Sequence, residues 1–448
     1  MQQGTAGNNT AENSTAGNDS AASGGLRSAS FAAADDARTA SWFEAVQLGF
    51  HEARSGADRL PAAVDAYQRD GRTLTAVYDD AAPEYAWDPA VPVATYATMV
   101  NALNVGGGRL LPAHLVTAVT VRATHRRRGI LRSMMTTDLA AAKDSGLALA
   151  ALTASEATIY GRFGFGAATS TADIQVDTRG GLEFTAPPRG SIAVADSGKL
   201  QALAPDIYRA HLEGTHGALG RQHGYWLRAA GVWSEEGNEP DKALRAVIRY
   251  NSDGVPDGYA AYKSLGWRTE PHTVKVTDLV AANDEAYREL WRYLGSLDLV
   301  ERVTFTEAPV ADPLPWMLAD RRRYRVTGVD DVLWVRLLDT RAALEARHYA
   351  GAGTVVLTVR DPLGMAGGVW QLEAQGGSGS VRPVEAGSVP AGAETADIDV
   401  AALGSLYLGG VSAKTLAAAG GIRGSREALD TLDALFTAGP APYCSTHF

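Results

Sequence analysis

The most constraining feature of this sequence is an apolar, β-branched run that ends at a short basic turn and continues as an amphipathic segment. The run covers residues 115–121, three consecutive arginines occupy residues 126–128, and Gly129 follows. Apolar residues then recur at intervals of three and four through residues 130–142, which is the spacing of a helix with one buried face. The pattern therefore predicts a strand, a turn and a helix.

A turn of this kind is suited to binding an anion. The first N–H groups of a helix have no partner within the helix, and the helix dipole places partial positive charge beside them. Arginine adds forked donors that match phosphate oxygens, and Gly129 lets the backbone come close to a ligand. We interpret the turn as a pyrophosphate site. An exposed basic helix start is the alternative, which the coincidence of strand, glycine and helix disfavours.

Composition excludes several classes of protein. The chain has 448 residues, long enough for two to four domains, and a formal net charge of −10. That charge, without an aromatic and basic stripe, argues against nucleic-acid binding. It favours attraction of cationic small substrates, although solubility alone explains it equally well. Cys444 is the only cysteine, so no intrachain disulfide is possible, and we expect a cytoplasmic protein. No apolar run approaches the length of a membrane span, and no metal-binding motif is present.

The pattern of elements divides the chain into a tail and three domains. Residues 1–38 are rich in small and polar residues and are predicted to be a disordered tail. Residues 39–180 alternate strands and helices, and residues 181–325 repeat the same strand, helix and strand. In the repeat, the letters VAAND at residues 280–284 replace the basic turn, so we expect that its phosphate site is lost. Residues 326–448 read as a small α+β domain.

Several further motifs define a resemblance. Residues 125–132 (HRRRGILR), 151–156 (ALTASE) and 159–166 (IYGRFGFG) resemble motifs of the Eis (enhanced intracellular survival) family of GNAT N-acetyltransferases. Residues 403–409 (LGSLYLG) resemble the C-terminal domain of that family, and residues 312–315 (DPLP) resemble its inter-domain junction. The terminal phenylalanine also fits, and the resemblance covers about residues 40–448.

This resemblance implies a mixed α/β and α+β fold. Two tandem GNAT domains, the second degenerate, would precede a domain similar to sterol carrier proteins, which would end in the catalytic C-terminus. The family uses acetyl-CoA, without a metal, to acetylate aminoglycosides at several amines, a route to antibiotic resistance. Some members also acetylate lysine side chains, and many assemble as homohexamers. A small cationic amine is therefore the expected substrate.

The resemblance assigns the cofactor to the strand, the basic turn and the start of the next helix. The last residues of the strand would pair their backbone with the pantetheine arm, although they also read simply as a buried strand. Ser155 and Glu156 follow the next apolar strand, where Ser155 could equally cap a helix. The residues expected to bind acetyl-CoA are Val119, Thr120, Val121, Arg127, Arg128, Gly129, Ile130, Leu131, Arg132, Ser155 and Glu156.

Two residues are expected to move protons. Tyr160 matches the general acid of the family, whereas without the resemblance a tyrosine on a short helix reads as a packed aromatic. Phe448 matches the residue whose main-chain carboxylate serves as the general base. A terminal carboxylate has a pKa of about 3.3–3.7, so at neutral pH it can accept a proton.

Substrate contacts are expected from Phe50, Glu52 and His447. Glu52 is predicted to lie on the first helix, either in an acidic pocket or simply solvated. His447 departs from the acidic residue common in the family and is either a substrate contact or incidental. Trp42 and Trp87 are candidates for pocket walls and equally for the core. A second hypothesis makes the chain a non-catalytic acyl-CoA- or lipid-binding protein, which an intact Tyr160 and C-terminus disfavour.

Overall fold

The computed structural model describes residues 19–22, 25–34, 36–54, 56–81, 83–235, 237, 239–385, 388–389, 392–437 and 441–448. Their strands form three sheets, of eight, seven and five strands, and helices pack on each sheet. None of the helices in these ranges is long and apolar enough to cross a membrane.

The first sheet has the strand order β1-β2-β3-β4-β5-β6-β15-β7. Within it, β5 and β6 are parallel and the other neighbouring strands are antiparallel. The strands are β1 (Asp19–Ala22), β2 (Leu26–Ala32), β3 (Thr73–Asp79), β4 (Ala94–Asn104), β5 (Leu110–Val121), β6 (Leu149–Thr153), β7 (Gly166–Ala167) and β15 (Leu333–Leu337). The helices beside it are α1 (Ala37–Gly49), α2 (Leu60–Arg69), α3 (Ile130–Asp144) and α4 (Ala157–Tyr160).

The parallel pair β5 and β6 separates toward its carboxyl end. Four residue pairs join the two strands, and the last of them is Val116 with Leu152. Beyond that point Ala118 takes a left-handed conformation (φ 50°), and the register of β5 against β4 shifts. The carbonyl oxygen of Ala118 accepts a 2.8 Å hydrogen bond from the Thr95 hydroxyl. This bulge turns the end of β5 away from β6 and opens a gap between the strands.

The second sheet has the order β14-β8-β13-β12-β11-β10-β9. Its strands are β8 (Ser170–Asp177), β9 (Ser191–Ala195), β10 (Arg245–Tyr250), β11 (Pro256–Ser264), β12 (Thr273–Ala281), β13 (Arg302–Pro309) and β14 (Tyr324–Asp331). Its helices are α5 (Leu200–Gly214), α6 (His223–Ala229), α7 (Asp284–Leu294) and α8 (Leu314–Met317). Strands β12 and β13 are parallel over four residue pairs and flank α7, just as β5 and β6 flank α3. The predicted repeat is therefore present.

The third sheet has the order β18-β17-β16-β19-β20. Its strands are β16 (Gly353–Arg360), β17 (Gly368–Gln375), β18 (Ser378–Pro383), β19 (Thr395–Asp399) and β20 (Ile422–Gly424). Its helices are α9 (Thr340–Ala346), α10 (Val400–Tyr407), α11 (Ala413–Ala418) and α12 (Arg426–Phe436). This is the predicted small α+β domain.

Three of the sequence-based boundaries need correction. The predicted tail of residues 1–38 is too long, because β2 pairs with β3 and buries Leu26, Ala29 and Phe31; residues 1–18 lie outside the described part. The boundary at residue 180 assigns β8 to the first domain, but β8 belongs to the second sheet. The boundary at residue 325 assigns β15 to the third domain, but β15 lies between β6 and β7 of the first sheet. These pairings join distant segments, and local periodicity carries no information about them.

The third domain shares one hydrophobic core with the first sheet. That core includes Leu115 and Leu149 of the first sheet together with Leu357 and Leu403 of the third domain. Helix α10 packs directly on β15, where Gly404 faces the backbone. A β-carbon at Gly404 would lie 2.1 Å from the Val335 carbonyl oxygen, so only glycine allows this approach. The third domain is therefore held firmly against the first.

We predict that Gly404→Ala lowers the stability of the protein. Alanine normally stabilises a helix by about 1 kcal/mol relative to glycine. Here the added methyl group overpacks the contact with β15, which costs about 1–3 kcal/mol. Thermal unfolding should therefore show a lower midpoint. The matched control is Gly214→Ala at the end of α5, where the new β-carbon would lie 3.9 Å from its nearest neighbour. Equal midpoints for both variants would contradict the prediction.

Candidate active site

A groove of about 570 Å³ opens where β5 and β6 diverge. Its walls come from the end of β5, the basic turn, the first turn of α3 and the segment after β6. Ten of the eleven predicted cofactor residues line it: Val119, Thr120, Val121, Arg127, Gly129, Ile130, Leu131, Arg132, Ser155 and Glu156. The first and last of these ten residues, Val119 and Glu156, lie 37 positions apart in the sequence, and the groove brings all ten together.

The backbone of the basic turn is shaped for an anion. Arg127 (φ 64°) and Gly129 (φ 79°) are both left-handed. Gly129 is the N-cap of α3, and as a glycine it has no side chain that could bond the first N–H groups of that helix. In the repeat, by contrast, the Asn283 side chain caps α7 and accepts a 2.8 Å hydrogen bond from Ala286. Two acidic residues follow Asn283, so the corresponding helix start in the second domain repels phosphate.

Arg128 has a different environment from Arg126 and Arg127, which both line the groove. Its guanidinium lies 3.6 Å from the Asp79 carboxylate, and its side chain does not line the groove. His125 also contacts Asp79, at 2.9 Å. The hydrogen bond from His125 lowers the pKa of Asp79, so this carboxylate stays charged. Through its contacts with His125 and Arg128, it holds the basic turn in place. The Arg128 side chain was predicted to contact the pyrophosphate, but in this structure it points to Asp79 instead of lining the groove.

A smaller chamber of about 280 Å³ adjoins the groove, and Tyr160 lines it. Tyr160 is buried, and burial raises the pKa of its phenol, while a hydrogen bond with Ser155 opposes the rise. The phenol is therefore protonated at neutral pH and can act as a proton donor. Ser155 does not cap α4, whose N-cap is Glu156. Its contact with the phenol is the better description of its role.

The end of the chain lies in the same chamber. Phe448 lines it, and the Thr153 hydroxyl donates a 3.2 Å hydrogen bond to a main-chain oxygen of Phe448. Thr153 is the last residue of β6, so the terminal carboxylate lies at the mouth of the gap between β5 and β6. The structure thus brings the two predicted proton-transfer residues, Tyr160 and Phe448, to one cavity.

The last residues of the chain are anchored on the second domain. The Tyr443 N–H donates to the His216 carbonyl oxygen at 2.8 Å. The Thr446 side chain is fully buried and donates to the Leu219 carbonyl oxygen at 3.2 Å. His447 Nε2 lies 3.1 Å from Glu307 Oε1 on β13 of the second sheet. The C-terminus of the third domain therefore crosses the second domain to reach the first.

A third cavity, of about 690 Å³, lies on the far side of the chamber. Aromatic and acidic side chains dominate its walls, and the acidic ones outnumber the arginines. The aromatic residues are Phe43, Phe50, Tyr67, Tyr225, Trp233, Phe305 and Phe448. The acidic residues are Glu52, Asp70, Glu235, Asp241, Asp278 and Glu307, and the arginines are Arg72, Arg221 and Arg228. Such a cavity suits a polar, cationic molecule.

The predicted substrate contacts all line this cavity. Phe50, Glu52 and His447 are among its walls. Glu52 lies in the turn after α1 rather than on the helix, because α1 ends at Gly49. The two tryptophans are not walls: Trp42 is fully buried in the core, and Trp87 lies under the Arg54 guanidinium at 4.5 Å. Periodicity alone could not separate an aromatic in the core from one in a pocket.

The three cavities share their walls. Phe50 lines all of them. Tyr160 lies between the groove and the chamber, and Thr153 and Phe448 lie between the chamber and the large cavity. A molecule in the groove and a molecule in the large cavity can therefore meet at the chamber, beside one proton donor and one proton acceptor.

Several residues of the site have no sequence signal of their own. Asp79 fixes the basic turn from the end of β3, and Arg221 forms a bidentate ion pair with Asp278, 57 residues away. Thr153 stands in a recognised motif, but nothing in that motif indicates a contact with the chain terminus. All three depend on contacts between segments that are remote in sequence.

Comparison with known proteins agrees with this architecture. Models of the acetyltransferase (GNAT) domain match residues 31–168 and 217–337, and a model of the sterol carrier protein domain matches residues 340–445. The predicted fold class, two GNAT domains followed by a sterol-carrier-like domain, is confirmed. GNAT domains use acetyl-CoA as the co-substrate.

Individual relatives cover most of the chain. An uncharacterized N-acetyltransferase of Streptomyces avermitilis is 37% identical over 92% of this chain and 97% of its own length. N-acetyltransferase Eis of Mycobacterium tuberculosis is 37% identical over 75% of this chain and 80% of its own length. The crystal structure of Eis1 from Mycobacterium abscessus superimposes with a TM-score of 0.75 and 31% identity, covering 91% of this chain and 96% of that one.

The placement of the arginines predicts unequal effects on CoA binding. Arg127→Gln removes a cation from the groove, and a hydrogen bond to a charged group contributes about 1.5–3 kcal/mol. The Kd for CoA should therefore rise about 10-fold or more, measured by calorimetry at fixed ionic strength. Arg128→Gln is the matched control and should change the Kd less than about threefold, because that side chain pairs with Asp79. The reverse ranking would contradict the placement.

Proposed function

This chain belongs to the Eis family of N-acetyltransferases, and on that premise we propose that it acetylates amines of small cationic acceptors such as aminoglycosides. The observation that carries the proposal is the chamber lined by both Tyr160 and Phe448, because Tyr160 also lines the groove and Phe448 also lines the acidic cavity. Lysine side chains are a second acceptor of the same chemistry.

The charge of the large cavity supports a cationic acceptor. Most of its carboxylates are balanced by neighbours: Asp278 pairs with Arg221, and Glu235 pairs with Lys263 and Lys275. Within the described part of the chain, no salt bridge involves Glu52. A protonated amine would supply the missing partner, and the net charge of −10 would attract it from a distance.

In the proposed reaction, Phe448 accepts a proton and Tyr160 donates one. An amine must lose its proton before it attacks the thioester carbonyl carbon, and in this proposal the Phe448 carboxylate accepts that proton. The new C–N bond forms as the C–S bond breaks, and the departing thiolate takes the proton of the Tyr160 phenol. The acylated nitrogen then releases its second proton, which restores the phenol. The raised pKa of Tyr160 keeps that proton available at neutral pH.

The alternative of a non-catalytic acyl-CoA- or lipid-binding protein has less support. Binding alone needs neither a buried phenol nor a carboxylate beside it, and the sterol-carrier-like domain contributes its terminus to the chamber instead. The homohexamer that the family resemblance implies stays a prediction.

The proposal is tested by a thiol-release assay with acetyl-CoA. The panel comprises aminoglycosides, linear polyamines and lysine peptides, and neutral amines of similar size serve as the control. We expect turnover on the polycations, with a kcat/KM that falls as ionic strength rises, because screening weakens the attraction. Turnover confined to neutral amines, or absent from the whole panel, would refute the proposed acceptor class.

A C-terminal extension tests the role of Phe448. Adding a single glycine after Phe448 moves the carboxylate out of its place while keeping the phenylalanine side chain. General acid–base catalysis contributes about 10²–10⁴-fold, so we expect kcat to fall by at least about 10²-fold. The Kd for CoA should stay unchanged, since Phe448 does not line the groove. Tyr160→Phe should give a comparable loss, and unaltered turnover in the extended protein would rule out the terminal carboxylate as the base.

A further inference from the structure

The second domain carries a buried polar cluster that contacts the end of the chain. We call it the tail clamp and define it as Tyr208, Arg221, Tyr225 and Asp278. Its members come from α5, the segment before α6, α6 itself and β12. The cluster belongs to the domain whose phosphate-binding turn is missing, so cofactor binding does not explain it.

Arg221 is the centre of the tail clamp. Its guanidinium forms two hydrogen bonds with Asp278, at 2.8 and 2.9 Å, and its side chain is 2% exposed. The Tyr259 hydroxyl completes this pair, accepting from Arg221 at 3.0 Å and donating to Asp278 at 2.6 Å. The guanidinium also lies 4.4 Å from the ring centroid of Tyr208 and 4.6 Å from that of Tyr225. One buried cation thus fixes two aromatic rings.

Each of the two rings holds the last residues of the chain. The Tyr225 hydroxyl accepts from the His447 N–H at 2.5 Å and donates to the His447 carbonyl oxygen at 3.1 Å. The Tyr208 hydroxyl lies 3.0 Å from the Thr446 hydroxyl, and both bond the Leu219 carbonyl oxygen. Two consecutive residues are therefore bound immediately before Phe448.

We propose that the tail clamp is a positioning device for acetyl transfer, which fixes the terminal carboxylate at the chamber through Thr446 and His447. The inference rests on the proposed function, in which that carboxylate is the base. Tyr208 and Arg221 act through the tail rather than on the reacting atoms. The second domain thereby serves the site of the first.

Geometry explains why the carboxylate needs such a device. Chain ends fray unless something fixes them, and a base must lie within hydrogen-bond distance of the proton that it takes. A displacement of about 1 Å can cost on the order of 10²-fold in rate. At Phe448 itself, the contact from Thr153 binds one oxygen. The clamp supplies the remaining restraint from the other side of the chamber.

The decisive variants are Tyr208→Phe and Thr446→Val. Neither residue lines the groove, the chamber or the large cavity, so a kinetic effect cannot come from a lost substrate contact. We expect kcat to fall about 10-fold in each variant, as a partial displacement predicts. The KM for acetyl-CoA should stay within about twofold. The double variant should lose at least as much as either single one, because each hydroxyl also makes its own hydrogen bond to the Leu219 carbonyl oxygen.

Tyr262→Phe is the matched control. It removes a 2.9 Å hydrogen bond between Tyr262 and Tyr293 in the same domain, away from the tail. Thermal unfolding of all the variants separates loss of fold from loss of position. An unchanged kcat in both clamp variants, or an equal loss in the control, would overturn the proposal.

The same variants are then made in the protein with the added C-terminal glycine, and residual acetyl transfer is followed with labelled acetyl-CoA. If the clamp acts through the carboxylate, Tyr208→Phe has no further effect there. An additive loss would overturn the clamp while leaving the terminal base intact. Full activity of the extended protein alone would instead refute the base, which distinguishes failure of the proposed function from failure of the clamp.

Discussion

The separation of β5 from β6 is the constraint on which the rest of the site depends. The two parallel strands stay paired for four residue pairs, and the bulge at Ala118 then turns β5 away. The gap gives the cofactor groove one wall from each strand, and it leaves Thr153 free to bond the end of the chain. A continuous ladder would satisfy the strand backbones internally and leave no room for a ligand.

The two halves of the molecule show how one framework is used in different ways. Both contain a strand, a helix and a parallel strand with the same extent of pairing. In the first, an uncapped glycine and basic residues open α3, whereas in the second Asn283 and acidic residues open α7. Capping by the chain's own side chain occupies the donors that an anion would use. Through the tail clamp, the second half instead positions the end of the chain.

The third domain connects these parts because its end passes over the second domain into the first. Its core is continuous with the first sheet, and glycine at position 404 allows a helix to lie directly on β15. Rigid docking at one end and anchoring of the tail at the other define the position of Phe448. A terminal carboxylate is an ordinary acid, and only its placement distinguishes it from any other chain end.

Local chemistry determined much of this protein from sequence alone. The β-branched run, the arginines with Gly129, and the helical period specified a strand, a turn and a helix suited to an anion, because each signal lies within a few consecutive residues. The motifs around Tyr160 and Phe448 indicated the family. Tertiary structure alone decided which arginines line the groove, where Glu52 and Trp42 lie, that β15 belongs to the first sheet, and that Arg221 pairs with Asp278. Those outcomes depend on pairing between distant segments, whose partners leave no trace in local spacing.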